Sequence, residues 1–428
     1  MTDVIIVGAG AAGLAAAALL RESGIDCLML EAGARLGGRA WTSCPDALGG
    51  APFDHGATWL HMAERNPLVT LARAVGETPR PAGGLETCHT RIDGRAATEP
   101  ERAAYRAAWE SWRGTVGARL DEPEDLSLAA AGAALAGDPW LPAIETWEGA
   151  LIAAADADVL SLRDWHHNSL NGGDVTLPGG LGAFVARRLG ALAGPVRLGT
   201  PVTSIAWDGA GVRVGTPRGT VQARAVIVTV SVGVLAAGRI RFAPGLPAET
   251  EAALHGLRMG LLSKVALRAA GPDRLDVPPD CPVDRRLAPG EPGMVFQAWP
   301  EGRDHVVGFV GGRAAWDLAR AGRAAAIAFA CEQARRSFGA RADHALSDSA
   351  VVTGWGSDSL FLGAYAYAIP GQVDARLALG RPQADGRLLF AGEACAPDGL
   401  AGTLGGAVLS GRQAARTVLA GLAGRGGT

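Results

Sequence analysis

A chain of 428 residues, 48% apolar and 19% charged, is long enough for two or three domains and too apolar to be disordered. Its 61 glycines and 25 prolines fall short of low-complexity composition, so the glycines have places rather than a repeat. A formal charge of −3 without a basic run argues against nucleic acid as a partner, and six scattered cysteines with no C-x-x-C pair or metal-ligand spacing fit a reducing cytoplasm.

In chain order, Asp3 to Gly8 reads as a short buried strand, Leu14 to Ser23 as an Ala-rich helix stopped by Gly24, and Ile25 to Glu31 as a second, parallel strand. The uncharged run Val4 to Leu20 approaches the length of a membrane span. Asp3, however, stands where a signal peptide carries Lys or Arg, and three glycines interrupt the run, so no membrane association is expected. Gly8-x-Gly10-x-x-Gly13 lies between strand and helix, where missing side chains let backbone N–H groups and the helix N-terminus approach a pyrophosphate. Glu31, 18 residues beyond Gly13, ends the next strand, where a carboxylate accepts ribose hydroxyls and repels a 2′-phosphate. The unit favours FAD or NAD over NADP and does not choose between the first two.

Further along, Tyr105, Trp109, Trp112, Val116 and Leu120 recur at helical spacing and predict a separate helix-rich layer. From Val196 the period changes to two: Val202, Ile205, Val212, Val214 and Val221, around Asp208-Gly209 and Thr216 to Gly219 turns, predict an antiparallel meander. It runs into Ala225 to Val230, whose β-branched residues suit a strand buried on both faces of the first sheet. Pro-rich loops from Pro272 to Pro292 precede a strand over Val306 to Gly311 and a helix from Ala314 to Phe338. Arg387 to Glu393 reads as strand and loop, Gly405 to Leu419 as a small-residue helix, and Gly424 to Thr428 as a frayed end.

Of the 40 basic residues a single one is lysine, Lys264, at the start of an alternating strand in Gly260-Leu-Leu-Ser-Lys-Val-Ala-Leu267. A compact ammonium that shifts its pKa on burial cannot be exchanged for a planar guanidinium that stays charged. No G-x-S-x-G, H-E-x-x-H or G-x-x-x-x-G-K-[ST] occurs, which removes hydrolase and nucleoside-triphosphatase readings.

Glu31-Ala-x-x-Arg35-x-Gly37-Gly38-Arg39 resembles the second cofactor motif of the flavin-dependent amine oxidases, which include monoamine oxidases, polyamine oxidases and flavin histone-lysine demethylases. Phe53-Asp-x-Gly56-Ala57-Thr58-Trp59-Leu60-His61 with Asn66-Pro67-Leu68 is similar to the polyamine oxidase pattern in particular. Ile240-x-Phe242-x-Pro244-x-Leu246-Pro247 and Phe390-Ala-Gly392-Glu393 extend the likeness over most of the chain. The resemblance implies an α/β fold with a discontinuous Rossmann-like FAD-binding domain (1–75, 195–265 and 380–428) and a second α+β substrate-binding domain (76–194 and 266–379). Flavin and substrate are expected to meet where the two domains face each other.

The same resemblance assigns Gly8, Gly10, Gly13, Glu31, Arg35, Gly38 and Arg39 to the nucleotide and phosphates of FAD, and Val202 to its adenine. Gly56, Ala57, Thr58 and Trp59 are to lie against the flavin, Gly392 and Glu393 near the ribityl chain and pyrophosphate, and Thr403 and Leu404 at the start of the last helix. Ala364 stands where monoamine oxidases carry the cysteine that links them to FAD, so binding is expected to be non-covalent. Lys264 is the implied catalytic residue, bonding a water near flavin N5. Tyr365 is the first aromatic wall of the amine site, Thr403 takes the place of the second, and Trp355 lies beside the flavin. His61 lies near the substrate, where a neutral imidazole can take a proton from an ammonium. Asp164, Asn171 and Asp174 are candidate lining residues, and no metal is expected.

The implied reaction moves a hydride from the carbon beside an amine nitrogen to flavin N5. The resulting imine hydrolyses to an aldehyde or ketone plus amine or ammonia, and O2, giving H2O2, or another acceptor reoxidises the flavin. The expected partners are a small-molecule amine and that acceptor, with the chain a monomer or homodimer. The alternatives are a FAD-dependent desaturase or isomerase of a lipid or isoprenoid, against which Lys264, Tyr365 and Thr58 to His61 argue, and a flavin-binding protein without turnover.

Overall fold

Alternate residues of strand Thr2–Val7 enter two different cores: Val4 and Ile6 pack beneath helices, Ile5 and Val7 beneath the meander. A strand covered on both faces has to be a continuous β-branched run, and this one is. The structure is a computed structural model describing residues 2–83 and 88–424. Of the end expected to fray, Gly424 to Thr428, the first residue closes the last helix and 425–428 lie outside the described residues.

Thr2–Val7 is central to an eight-stranded mixed sheet, pairing in parallel with Cys27–Leu30 on one side and with Gly219–Val228 on the other. The ten residues of Gly219–Val228 do two jobs. The first half closes the antiparallel meander Ser204–Ala206, Val212–Thr216, Gly219–Val228. The second half runs parallel to both Thr2–Val7 and Leu388–Phe390. Helices Ala11–Glu22, Leu181–Ala193 and Leu404–Gly424 cover one face. Val196–Arg197 differs from the expected meander: it pairs in parallel with Met29 and Leu30 at the opposite edge, and Val202 precedes the first meander strand. The first helix begins at Ala11, three residues early, because Gly10 is its N-cap.

A five-stranded antiparallel sheet follows in the order Cys281–Val283, Val295–Ala298, His305–Gly311, Leu262–Ala269, Leu346–Val352. The first of these lies inside the expected Pro-rich loops, and Pro282 is tolerated there because the strand is at the edge. Leu262–Ala269 does not alternate: Ser263 to Leu267 are all buried. The strand is internal, with Val265 and Leu267 under helix Arg323–Phe338 and Ala266 facing Phe53 and Phe309. Period two places Lys264 on the Ala266 face. The expected helix over 314–338 is two helices, Gly312–Ala321 and Arg323–Phe338, because Gly322 takes a φ of 92° between them.

Helix Glu99–Gly117, started by a Thr98/Glu101 capping box, buries Tyr105, Trp109, Trp112 and Val116 in the expected helical layer. Among the described residues no helix is long and apolar enough to cross a membrane; the run Val4 to Leu20 is a strand, a turn and a helix.

The last helix crosses the first at Gly411, where a Cβ would lie 2.0 Å from the Ala12 carbonyl oxygen. Gly411→Val is expected to lower the unfolding free energy by about 1–3 kcal/mol through forced separation of the helices. A urea midpoint within error of wild type would contradict this packing.

Candidate functional site

A cavity of about 1300 Å³ runs from the glycine turn after the first strand to the faces of the second sheet and the helical layer. That exceeds the ~300–1,000 Å³ of an ordinary small-ligand pocket.

At one end, Gly8 takes a φ of 102°, and a Cβ there would meet the Thr229 hydroxyl oxygen at 2.7 Å. Gly10 starts the helix with no side-chain cap, leaving the first N–H groups at the cavity. Gly38, φ 58°, approaches so closely that a Cβ on it would lie 3.1 Å from the Gly10 Cα. The result is a backbone-walled cradle that side chains would fill. Gly13 does not line the cavity; its missing Cβ would lie 2.1 Å from the Gly8 carbonyl oxygen, so it sets helix against turn. The Glu31 carboxylate accepts from the N–H groups of Ala9 (2.7 Å) and Gly33 (2.6 Å) and faces the cavity, as does the wall residue Val202. Arg35 is also off the lining. It donates to the Gly38 carbonyl (2.6 Å) and lies 4.8 Å above the Trp41 ring, bracing the loop from behind.

Midway, Arg39 donates to the Ala364 carbonyl (2.7 Å) and to Glu393 (2.9 Å). Glu393 in turn accepts from the Ala366 N–H (3.2 Å). Thr403 lines the cavity with Leu404, and its hydroxyl is committed: it donates to the Leu400 carbonyl (2.8 Å) and accepts from the Gly406 N–H (2.9 Å), starting the last helix.

At the far end is Lys264, 4% exposed. Its Nζ donates to the carbonyls of Asp54 (2.8 Å) and Gly56 (2.6 Å) and to the Thr58 hydroxyl (2.5 Å), which uses all three ammonium hydrogens. Burial lowers its pKa to about 8, with Asp54 opposing the shift. Once neutral, Nζ keeps two hydrogens for the two carbonyls and can accept from Thr58, so the contact survives titration. The lysine thus holds the Gly56 to Trp59 segment along the cavity wall. Gly56 has no room for a side chain: a Cβ would lie 1.6 Å from the Arg39 carbonyl oxygen. Trp355 donates from Nε1 to the His55 carbonyl (2.9 Å), and the Tyr365 hydroxyl donates to the Leu151 carbonyl (2.8 Å). Both rings line the cavity, together with Ala57, Trp59, His61 and Gly392.

All three lining candidates border the cavity, Asp164 with its carboxylate already engaged. Asp164 is bound to Arg376 through two bonds (2.7 and 2.9 Å) and to the Ala368 N–H, a structural ion pair. Asn171 and Asp174 line the cavity, Asp174 with Oδ1 3.0 Å from the His61 Nδ1.

Two lining residues escape the sequence reading. His55, the unread position between Asp54 and Gly56, stacks on Trp41 at 3.8 Å and meets the Ser43 hydroxyl at 2.7 Å. Burial, with Lys264 and Arg35 adding to it, lowers its pKa to about 4, so it is neutral. Glu148 lies on Thr146–Ala153, a π-helical segment. One oxygen accepts from the Trp165 Nε1 (2.9 Å), and burial pushes the carboxyl upward. A motif left blank at 55 gives no signal, and Glu148 offers none beyond being an acid between apolar residues. Among the described residues no cluster is arranged to bind a metal.

The description flavin containing amine oxidoreductase matches residues 11–419. Over 438 aligned residues the chain is 30% identical to a probable polyamine oxidase 4 of Arabidopsis thaliana, covering 92% of this chain and 82% of that protein. It is 28% identical to polyamine oxidase 4 of Oryza sativa subsp. japonica, over 96% and 88% of the two chains. It is 29% identical to the lysine-specific histone demethylase 1 homolog 1 of the same plant, over 98% of this chain and 52% of that one. A solved putrescine oxidase bound to putrescine superposes with a TM-score of 0.76 at 22% identity, covering 98% of this chain and 99% of that one.

Between pH 8 and 10.5 the folded protein holds fewer protons at Lys264 than the unfolded chain does, so the cost of burying the charge is relieved as pH rises. Relative to Lys264→Met, wild type is expected to gain roughly 3 kcal/mol of unfolding free energy across that window. Urea titrations at a series of pH values check this; a constant difference would mean that burial does not disfavour the ammonium.

Proposed function

The chain belongs to the flavin-containing amine oxidoreductases, an amine-oxidising enzyme family with a flavin cofactor, and from that premise we propose that it binds FAD non-covalently and oxidises an amine that carries a second cationic group. The observation that carries the proposal is one continuous cavity joining the glycine cradle to a chamber walled by Lys264, Tyr365 and Glu148.

The residues fit a dinucleotide. The uncapped helix start at Gly10 and the side-chain-free gap between Gly10 and Gly38 suit a pyrophosphate, and Glu31 and Val202 suit ribose and adenine. Arg39 and Glu393 lie between that end and the chamber. Ala364 offers no nucleophile, and the Cys395 thiol, pushed up to about 12 by burial, does not line the cavity. When bound, FAD would supply the electron acceptor for a hydride from the carbon beside the amine nitrogen, so that the product would be an imine that hydrolyses to an aldehyde or ketone plus amine or ammonia, with O2 as the terminal acceptor giving H2O2.

The protein's own part is to bind, orient and dry the amine. Tyr365 presents an aromatic face fixed by its bond to the Leu151 carbonyl. Lys264 keeps the Gly56 to Trp59 wall in place. Among the described residues Glu148 has one oxygen on Trp165 and no ion pair, whereas Asp164 is matched by Arg376 and Glu393 by Arg39. A substrate cation is the partner that chemistry lacks at Glu148. The polyamine oxidases among the relatives, and the putrescine oxidase that shares the fold, agree with a diamine or polyamine.

Mixing the yellow protein anaerobically with mono-, di- and polyamines is expected to bleach the flavin, fastest with a diamine or polyamine. Glu148→Gln is expected to raise the KM for such a substrate at least about tenfold, ~1.4 kcal/mol, with little change for a monoamine. A protein that no amine bleaches is a flavin binder without amine turnover. An equal effect on mono- and diamines would remove Glu148 from recognition of the second cation.

A further inference from the structure

Leu60 and Val175 exchange two backbone hydrogen bonds, Leu60 N–H to the Val175 carbonyl (2.8 Å) and Val175 N–H to the Leu60 carbonyl (3.2 Å), forming an isolated antiparallel bridge. The next residues outward, His61 and Asp174, must then face each other. Both backbones are clamped: the Asn66 amide donates to the His61 carbonyl (2.8 Å), and the Ala63 N–H to the Gly173 carbonyl (2.7 Å). The side chains meet with His61 Nδ1 3.0 Å from Asp174 Oδ1, and both residues line the cavity. These two atoms are buried and, among the described residues, have no other partner. The contact falls short of a well-aligned hydrogen bond, as dyads commonly do before substrate tightens them. Each atom is nevertheless the only compensation the other has for lost water. No group among the described residues bonds the His61 Nε2, which leaves it to the cavity. The other charged group at this corner, Glu64, is turned to the Gly173 N–H (3.1 Å).

We infer that Asp174 is a positioning residue that holds His61 with its Nδ1 hydrogen inward, so that Nε2 takes the proton of an arriving ammonium substrate; this rests on the amine-oxidation reading above. In that step the substrate N–H bond breaks, the electron pair stays on the amine nitrogen, and the proton forms a new bond to Nε2. The imidazolium is then paired with the Asp174 carboxylate through Nδ1–H. The free amine is the form that can release a hydride from the neighbouring carbon. The dyad governs how fast the amine becomes reactive rather than how tightly it is held.

The test is the limiting rate of flavin reduction in the FAD-loaded enzyme, measured by anaerobic stopped flow with saturating diamine from about pH 7.5, where an ordinary imidazole is neutral, to about 10, where the amine begins to lose its proton unaided. Asp174→Asn and His61→Gln are each expected to slow reduction at least tenfold at the lower end and to converge on wild type at the upper end. The double variant should be no slower than His61→Gln, with FAD content unchanged in all three. A rate lowered by one factor at every pH, an unchanged rate, additive losses, or an effect confined to the substrate dissociation constant would overturn the dyad alone. Wild type that no amine reduces would overturn the amine-oxidation reading and the dyad with it.

Discussion

The structure depends on one buried ammonium. Lys264 reaches from an internal strand of the second sheet to the Asp54 and Gly56 carbonyls and the Thr58 hydroxyl, drawing the three acceptors onto one ammonium. Asp54 carries the connection further: its carboxylate accepts from Thr42 and from the N–H groups of Leu181 and Gly182 at the start of a helix packed on the first sheet. Through two residues the second sheet, the 54–58 loop and that helix are tied together, and the cavity lies along the tie. A point charge with three hydrogens suits three acceptors spread around it, whereas a planar fork does not. That geometry accounts for a lysine surviving in a chain that otherwise uses arginine throughout.

Around that tie, two buried charges of the cavity wall are neutralised by ion pairs. Arg376 with Asp164, and Arg39 with Glu393, are paired and also bonded to backbone groups, which is the condition under which ions persist in an interior. Glycine does the opposite service, keeping volume open: Gly8, Gly38 and Gly56 stand where any side chain would strike backbone or fill the cradle. Among the described residues the cavity-wall acids without an arginine partner are Glu31, held by the Ala9 and Gly33 N–H groups, and Glu148 and Asp174, for which a role toward the substrate is proposed.

What was legible in the sequence was local. The glycine turn between the first strand and helix, the alternating meander and the small-residue last helix each announce themselves within a dozen residues, and the structure has them. Structure departs from pattern where tertiary surroundings decide. The pattern of Leu262–Ala269 predicts alternation because it hides the helix that covers the strand's second face, and Val196 lies outside the meander because it pairs with a parallel edge at Met29. Gly322 broke a helix whose composition favours continuity. Of the candidate site, the motif residues gather around one cavity, apart from Gly13 and Arg35, which support it from behind. His55 filled a blank position, Glu148 lies on a π-helical turn that shifts facing, and the His61–Asp174 meeting depends on one distant backbone bridge. No short sequence window contains those facts.

We propose that the Lys264 ammonium preorganises the wall on which FAD would rest, and the most direct measurement is FAD affinity of the apoprotein by fluorescence titration, wild type against Lys264→Met. The account predicts binding at least about tenfold weaker in the variant, ~1.4 kcal/mol, because the 54–58 loop must then be ordered by the cofactor itself. Equal dissociation constants for the two proteins would contradict it.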